Sequence, residues 1–270
     1  MSDVVGISGE TRLAAVIGDP VRHSRSPAIH NAAYAATGLD RVFLALEVRE
    51  GHGFDAVRAM PVLGIDGFSV TMPHKADAAR ACDELSADAS ALGAVNTVVR
   101  RDGSLWGDST DGEGLLRSLA DAALDVAGRT VLVLGAGGAA RAAVLALGRA
   151  GARVTVAARR SGAARAAADL APGADAIDLG AAVSGDFEVV LNATPLGMGG
   201  EILPVEPPGP GQWAVDLIYH PSDTPFLVAA RARGAHGVGG IGMLVHQAAL
   251  GFEAMTGVPA PLEVMRRAAQ

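Results

Sequence analysis

Lysine is almost absent from this chain. Of 22 basic residues only Lys75 is a lysine, which leaves 21 arginines. Arginine does not deprotonate in proteins, whereas a lysine can exchange a proton near neutral pH. Lys75 closes the stretch Ser69-Val70-Thr71-Met72-Pro73-His74-Lys75, just past an apolar run at 65–70 and a proline. That is where α/β proteins place their chemistry. The plainer alternative is a leftover surface lysine with no role.

Other scarcities exclude whole classes. Cys82 is the single cysteine, so no internal disulfide can form; this fits a reducing cytoplasm, with Cys82 packing in a helix. Aromatics make up only 4% while half the residues are apolar and glycine reaches 35. The interior is therefore expected to be alanine, valine and leucine, as in helices laid closely on a parallel sheet. The net charge is −7 and no basic run exceeds two residues. Neither a nucleic-acid nor an anionic-membrane footprint is present, so the expected partner is a small molecule, and no metal site is expected. Residues 1–6 lack a basic segment and a long apolar segment, so no secretory leader is expected, and Arg141 interrupts the best candidate for a membrane span. The 270 residues suffice for one large domain or two of ordinary size.

Strand and helix signals then alternate, which implies a mainly parallel sheet. Residues 13–17 read as a strand closing at Gly18-Asp19-Pro20. In Ser24-Arg25-Ser26-Pro27, Pro27 suits a first helical turn with Ser26 as its N-cap and 29–36 continuing it. Ser24 and Ser26 could hold a carboxylate at that terminus or serve only as caps. Strands are expected at 42–48 and 65–70, and helices at 54–60, after Lys75 and at 86–92. Residues 94–99 read as a strand carrying Asn96 in an apolar run, either a satisfied core amide or, as favoured here, a ligand contact. Asp102-Gly103 is a hairpin turn leading to Leu105-Trp106-Gly107, and Asp111 caps or opens a helix at 115–124.

The strand at 130–134 runs directly into Gly135-Ala136-Gly137-Gly138-Ala139-Ala140 and an alanine-rich helix. Glycines in that context allow a tight turn and close approach of a pyrophosphate to the helix N-terminus. After the next strand, 153–157, comes Ala158-Arg159-Arg160-Ser161, and no Asp or Glu occurs between Gly135 and Asp169. An acid about twenty positions beyond the glycines would hold a ribose hydroxyl, whereas arginine accommodates a 2′-phosphate, so the expected cofactor is NADP with Arg159 and Arg160. Further strands are expected at 187–195 and 213–219, the latter ending in Tyr219. Residues 204–211 read as a surface linker, 234–242 as a glycine-dense hinge, and 224–233, 243–255 and 262–269 as helices.

Taken together, these motifs resemble the shikimate dehydrogenase family from about 15 to 257. The match includes Ser24-Arg25-Ser26-Pro27, Val70-Thr71-Met72-Pro73-His74-Lys75, Gly93-Ala94-Val95-Asn96-Thr97 and Thr110-Asp111-Gly112. It continues through the glycine turn, Asn192-Ala193-Thr194-Pro195-Leu196-Gly197-Met198, Asp216-Leu217-Ile218-Tyr219 and Gly242-Met243-Leu244-Val245-His246-Gln247-Ala248. The resemblance implies two α/β domains with a cleft between them: a substrate domain from 1–108 plus 240–270, and a Rossmann-type NADP domain at 109–239. It implies interconversion of 3-dehydroshikimate and shikimate by a cytoplasmic monomer or homodimer. Lys75 and Asp111 would be the acid/base pair, because hydride addition to a ketone creates an alkoxide that an ammonium can stabilise and protonate. Ser24 and Ser26 would hold the substrate carboxylate, and Thr71, Asn96, Tyr219 and Gln247 would surround the ring. Gly135, Ala136, Gly137, Gly138, Ala139, Arg159, Arg160 and Thr194 would bind NADP, with Leu217 and Gly240 lining the nicotinamide. Where the family has Asn-Arg-Thr, this chain has Ala158-Arg159-Arg160.

A quinate or amino-shikimate dehydrogenase shares the same pair, but a quinate preference often comes with an NAD-favouring acid that this chain lacks. A folate-type methylene dehydrogenase would leave Ser24 and Ser26 unexplained. A silent regulator on the same scaffold would have lost Lys75, Asp111 or the glycines.

Overall fold

Valine-rich runs too short to fold back on themselves, separated by alanine-rich helices, build sheets through crossovers. The computed structural model describes residues 6–182 and 186–270; residues 1–5, on which the leader expectation rests, and 183–185 lie outside them. The chain is α/β and divides into two compact units, Met1–Thr110 with Val245–Gln270, and Asp111–Leu244.

The first unit holds β1 (Arg12–Gly18), α1 (Ser26–Thr37), β2 (Arg41–Glu47), α2 (Gly53–Ala59), β3 (Ile65–Val70) and α3 (Lys75–Ala81). There follow β4 (Glu84–Leu85), α4 (Ala87–Leu92), β5 (Thr97–Arg101) and β6 (Ser104–Asp108). Its sheet runs β2-β1-β3-β5-β6-β4. The three leading strands are parallel, while β5 and β6 form an antiparallel hairpin. Asp102 and Gly103 turn that hairpin at positive φ, as the Asp-Gly pair requires. Ile17, Phe68, Val70, Val98 and Leu105 form the core against α2 and α3. On α1, Asn31 donates to the Phe43 carbonyl at 2.9 Å and accepts from the Phe43 N–H at 2.8 Å, occupying groups through which another strand could pair with edge strand β2.

The second unit opens with α5 (Asp111–Asp121) and continues with β7 (Thr130–Leu134), α6 (Gly138–Arg149), β8 (Arg153–Ala158), α7 (Ser161–Ala168) and β9 (Asp175–Asp178). It then holds β10 (Val189–Asn192), β11 (Trp213–Asp216), α8 (Pro225–Ala232) and β12 (His236–Val238). The order β12-β11-β10-β7-β8-β9 is parallel throughout, and leucine, valine and alanine fill both faces. The helix α9 (Ile241–Thr256) carries the chain into the closing α10 (Leu262–Ala268).

Several local expectations change. Ser26 is the first residue of α1, and Arg25 takes the cap position with no side-chain cap bond; the Ser24 Oγ instead accepts the Ser26 N–H at 3.2 Å. Asn96 lies just ahead of β5 rather than within it. The 204–211 linker is not all surface, because Val205, with the preceding Leu203, is buried against the second sheet. The glycine-dense 234–242 stretch contains β12. Cys82 stands just past α3 in extended backbone, with burial pushing its thiol up to about 12.

His30 gives the first unit a pH signature. It is fully buried, stacked on Phe43 at 4.1 Å, with neither ring nitrogen hydrogen-bonded, and burial lowers its pKa to about 3. The unfolded chain takes up this proton near pH 6.5 while the folded chain refuses it, so stability falls as pH drops through that window. Urea unfolding at pH 7.5 and pH 5 should show wild type losing about 2 kcal/mol more than His30→Leu. Equal losses would mean that His30 is protonated in the folded state.

Candidate active site

In the first unit, β1 and β3 end side by side. The Thr71 N–H donates to the Ile17 carbonyl at 2.9 Å and the Asp19 N–H to the Met72 carbonyl at 3.0 Å. The loop bearing Ser24 and Ser26 and the loop bearing Thr71 and Lys75 therefore leave the same sheet edge. Strand β5 runs the other way, with Thr97 opposite Ser69, so its beginning reaches that edge too. There the Val70 N–H donates to the Asn96 carbonyl at 2.7 Å, and the Val95 N–H to the Lys75 carbonyl at 2.9 Å. The backbone of Lys75 is thus fixed at the first position of α3. One residue earlier, the fully buried His74 holds the turn, its Nε2 lying 2.6 Å from the Val48 carbonyl.

Asn96 is the polar hub of this edge. Its Oδ1 accepts the Thr110 N–H at 2.9 Å and the Thr97 hydroxyl at 3.1 Å. Its Nδ2 lies 3.0 Å from the Thr110 Oγ1 and 3.4 Å from the Gln247 Oε1 on α9. The Thr110 hydroxyl also reaches the Gln247 carbonyl at 3.1 Å. The buried Asp111 is the next residue and opens α5 as a first-turn acid. Ser26 is 7% exposed, and among the described residues its hydroxyl has no partner in the chain. Lys75, Ser24, Ser26, Thr71, Asn96 and Gln247 all belong to the first unit, whereas Asp111 and Tyr219 belong to the second.

In the second unit the parallel direction collects five loops at one edge. Arg159 and Arg160 follow β8, the 135–139 turn follows β7, Thr194 follows β10, Leu217 follows β11 and Gly240 follows β12. The strand order reverses between β7 and β10, and ligands of such sheets bind at that crevice. Gly135 adopts φ +111, and an added Cβ would lie 3.0 Å from the Ala193 carbonyl oxygen; only glycine is unstrained there. At Gly240 a Cβ would collide with the Leu217 carbonyl.

These residues fit a dinucleotide. The first turn of α6 has Gly137 as cap and no side-chain cap bond, and open space surrounds Gly137 and Gly138, leaving amides for a pyrophosphate. Arg159 and Arg160 are exposed, and neither forms an ion pair among the described residues.

Behind the loops lies a network that the sequence reading passed over. Asn192 and Asp216 end apolar strands, as Asn96 precedes one, and neither is among the expected site residues. The Asn192 Oδ1 accepts the Thr194 N–H at 3.0 Å and hydroxyl at 2.7 Å. The Asp216 Oδ1 accepts from the Asn192 Nδ2 at 3.0 Å, and its Oδ2 from the Thr224 hydroxyl at 2.7 Å. Burial raises the Asp216 carboxyl pKa despite these donors.

A family model described as the shikimate dehydrogenase substrate binding domain matches residues 16–98, and one described as the shikimate 5'-dehydrogenase C-terminal domain matches 240–270. The shikimate dehydrogenase (NADP(+)) of Moorella thermoacetica is 42% identical over 280 residues, spanning 98% of this chain and 94% of that protein. A shikimate dehydrogenase crystallised with NADP+ superposes with a TM-score of 0.91 at 34% identity, covering 98% of this chain and 96% of the other. The Thermus thermophilus shikimate 5-dehydrogenase, in complex with NADP(H) and shikimate, gives a TM-score of 0.86 at 34% identity over 96% and 98%.

The hub itself can be tested without a ligand. Asn96→Ala leaves the Thr110 N–H without its acceptor and should cost about 1–3 kcal/mol in urea unfolding. A loss below about 0.5 kcal/mol, the level expected of a surface change, would show that the amide does not hold this edge.

Proposed function

The chain belongs to the shikimate dehydrogenase family, and from that membership we propose how its residues share the reaction. It is an NADP-dependent oxidoreductase acting on a CH–OH group, interconverting 3-dehydroshikimate and shikimate. In this reading it serves the route to aromatic amino acids, in a reducing cytoplasm that suits the lone thiol of Cys82.

Bound NADPH supplies the hydride. In the reductive direction the Lys75 ammonium stabilises the negative charge developing on the ketone oxygen and delivers the proton; in reverse, Lys75 accepts it. Asp111 orients the lysine. The observation carrying this assignment is the anchoring of Lys75 beside Asn96 at the edge where Ser24, Ser26 and Thr71 also emerge. Ser24 and Ser26 take the substrate carboxylate, and the unpartnered Ser26 hydroxyl supports that role. Thr71, Asn96, Gln247 and Tyr219 recognise the ring hydroxyls.

The first unit is the substrate domain and the second the cofactor domain. Amides of the 135–139 turn take the pyrophosphate, Arg159 and Arg160 the 2′-phosphate, and Thr194, Leu217 and Gly240 the nicotinamide side. The fit of that turn to a phosphate supports the cofactor assignment.

Lys75→Arg keeps the charge but cannot exchange the proton, so steady-state turnover should fall by on the order of a hundredfold or more; near-normal turnover would remove the acid/base role. Rates measured for shikimate and quinate, each with NADP and NAD, should be highest for shikimate with NADP. Arg159→Asp should then weaken NADP use far more than NAD use, because it replaces the 2′-phosphate partner with a like charge. Equal losses, or a greater efficiency with quinate and NAD in the wild type, would overturn the assignment.

A further inference from the structure

Asp216 is itself assigned no contact with substrate or cofactor, yet it stands behind the loops that carry Thr194 and Leu217. It is fully buried at the end of β11 with both carboxylate oxygens hydrogen-bonded. Its Oδ1 receives the Asn192 amide at 3.0 Å and the Ile218 N–H at 3.1 Å, and its Oδ2 receives the Thr224 hydroxyl at 2.7 Å. Each donor belongs to a different stretch of the edge. Asn192 passes the constraint on, because the amide that donates to Asp216 also donates to the Leu196 carbonyl at 3.1 Å. Its carbonyl meanwhile takes both the N–H and the hydroxyl of Thr194. Ile218 belongs to the turn whose preceding residue, Leu217, presses its carbonyl against Gly240. Thr224 caps α8, accepting the Leu227 N–H at 3.3 Å.

We propose that Asp216 is a positioning residue for NADP: through Asn192 and the Ile218 N–H, one buried carboxylate fixes the loops after β10 and β11 against Gly135 and Gly240. A carboxylate suits this place because three donors converge on it and it brings no proton of its own. An amide cannot replace it. If the new Nδ2 took the Oδ1 position it would face two donors, and in the Oδ2 position it would force the Thr224 hydroxyl to turn its proton elsewhere. The buried cost is carried by the folded unit, while the benefit lies in a preformed loop pair that does not have to be ordered when the cofactor arrives. This inference rests on the NADP-binding reading above and adds a residue that acts through Thr194 and Leu217.

The test uses the full-length protein and NADPH alone, followed by fluorescence titration, with steady-state kinetics beside it. Wild-type binding of NADPH checks the underlying reading; its failure would sink that reading rather than the role of Asp216. In Asp216→Asn the dissociation constant for NADPH and the KM for NADP should rise about tenfold, and the KM for shikimate less than either, because Tyr219 shares the loop after β11. Asn192→Ala cuts the next link and should show the same split, and the double variant should bind NADPH no more weakly than the weaker single variant. If circular dichroism shows Asp216→Asn unfolded, Asn192→Ala alone decides. An unchanged NADPH dissociation constant in a folded variant, parallel losses in both KM values, or additive losses in the double variant would overturn the proposal.

Discussion

Parallel strands all finish in the same direction, and this constraint determines where chemistry can stand in this protein. In the second unit every strand of β12-β11-β10-β7-β8-β9 releases its following loop at one edge. Gly135, Arg159, Thr194, Leu217 and Gly240 are spread over more than a hundred positions yet lie on five neighbouring loops. The first unit obeys the same rule over β1 and β3, then breaks it with an antiparallel β5. That reversal is useful, because it delivers the beginning of β5, with Asn96, to the edge where Lys75 already stands.

Loops gathered at an edge still need to be held, and both units use one device. A buried asparagine at a strand boundary takes a threonine N–H and a threonine hydroxyl on its carbonyl oxygen. Asn192 does so with Thr194 at 3.0 and 2.7 Å, and Asn96 takes the Thr110 N–H at 2.9 Å together with the Thr97 hydroxyl at 3.1 Å. The amide's nitrogen is then available for a second partner, Gln247 in one case and Asp216 in the other. An asparagine is suited to this because it offers acceptor and donor on a short, planar group. A buried amide is costly when half satisfied, so each hub fixes its neighbours strongly or not at all.

What could be read from the sequence follows from how local each signal is. The glycine turn after β7, the absence of an acid before Asp169 and the Asp-Gly hairpin are local, and they stand where composition and spacing put them. Ser26 misled because a serine before proline satisfies the local rule for a cap, while the chain enters the helix one residue earlier. The strands β9 and β12 are only four and three residues long, and pairing with β8 and β11 makes them strands. Val205 carries no signal for burial amid prolines and glycines; a neighbouring sheet face covers it. The polar networks were the least legible, because a single Asn or Asp in an apolar run shows that a partner is needed without showing which one.

The scarcity of lysine also acquires a physical sense. Arg12 pairs with Asp66, Arg58 with Asp83, Arg129 with Glu188 and Arg165 with Asp169, so ordinary ion-pairing is done by guanidinium groups. Their flat, permanently charged forks are good at gripping carboxylates and useless for giving up a proton. If charge alone were needed at position 75, the residue the chain uses everywhere else would serve. What distinguishes lysine is a compact ammonium able to lose and regain a proton. Its backbone is fixed by Val95 and by the turn that His74 braces, at the one edge of the first unit where hydroxyls and an amide also converge. Composition picks out the residue, and the antiparallel run of β5 brings Val95 and Asn96 to its backbone.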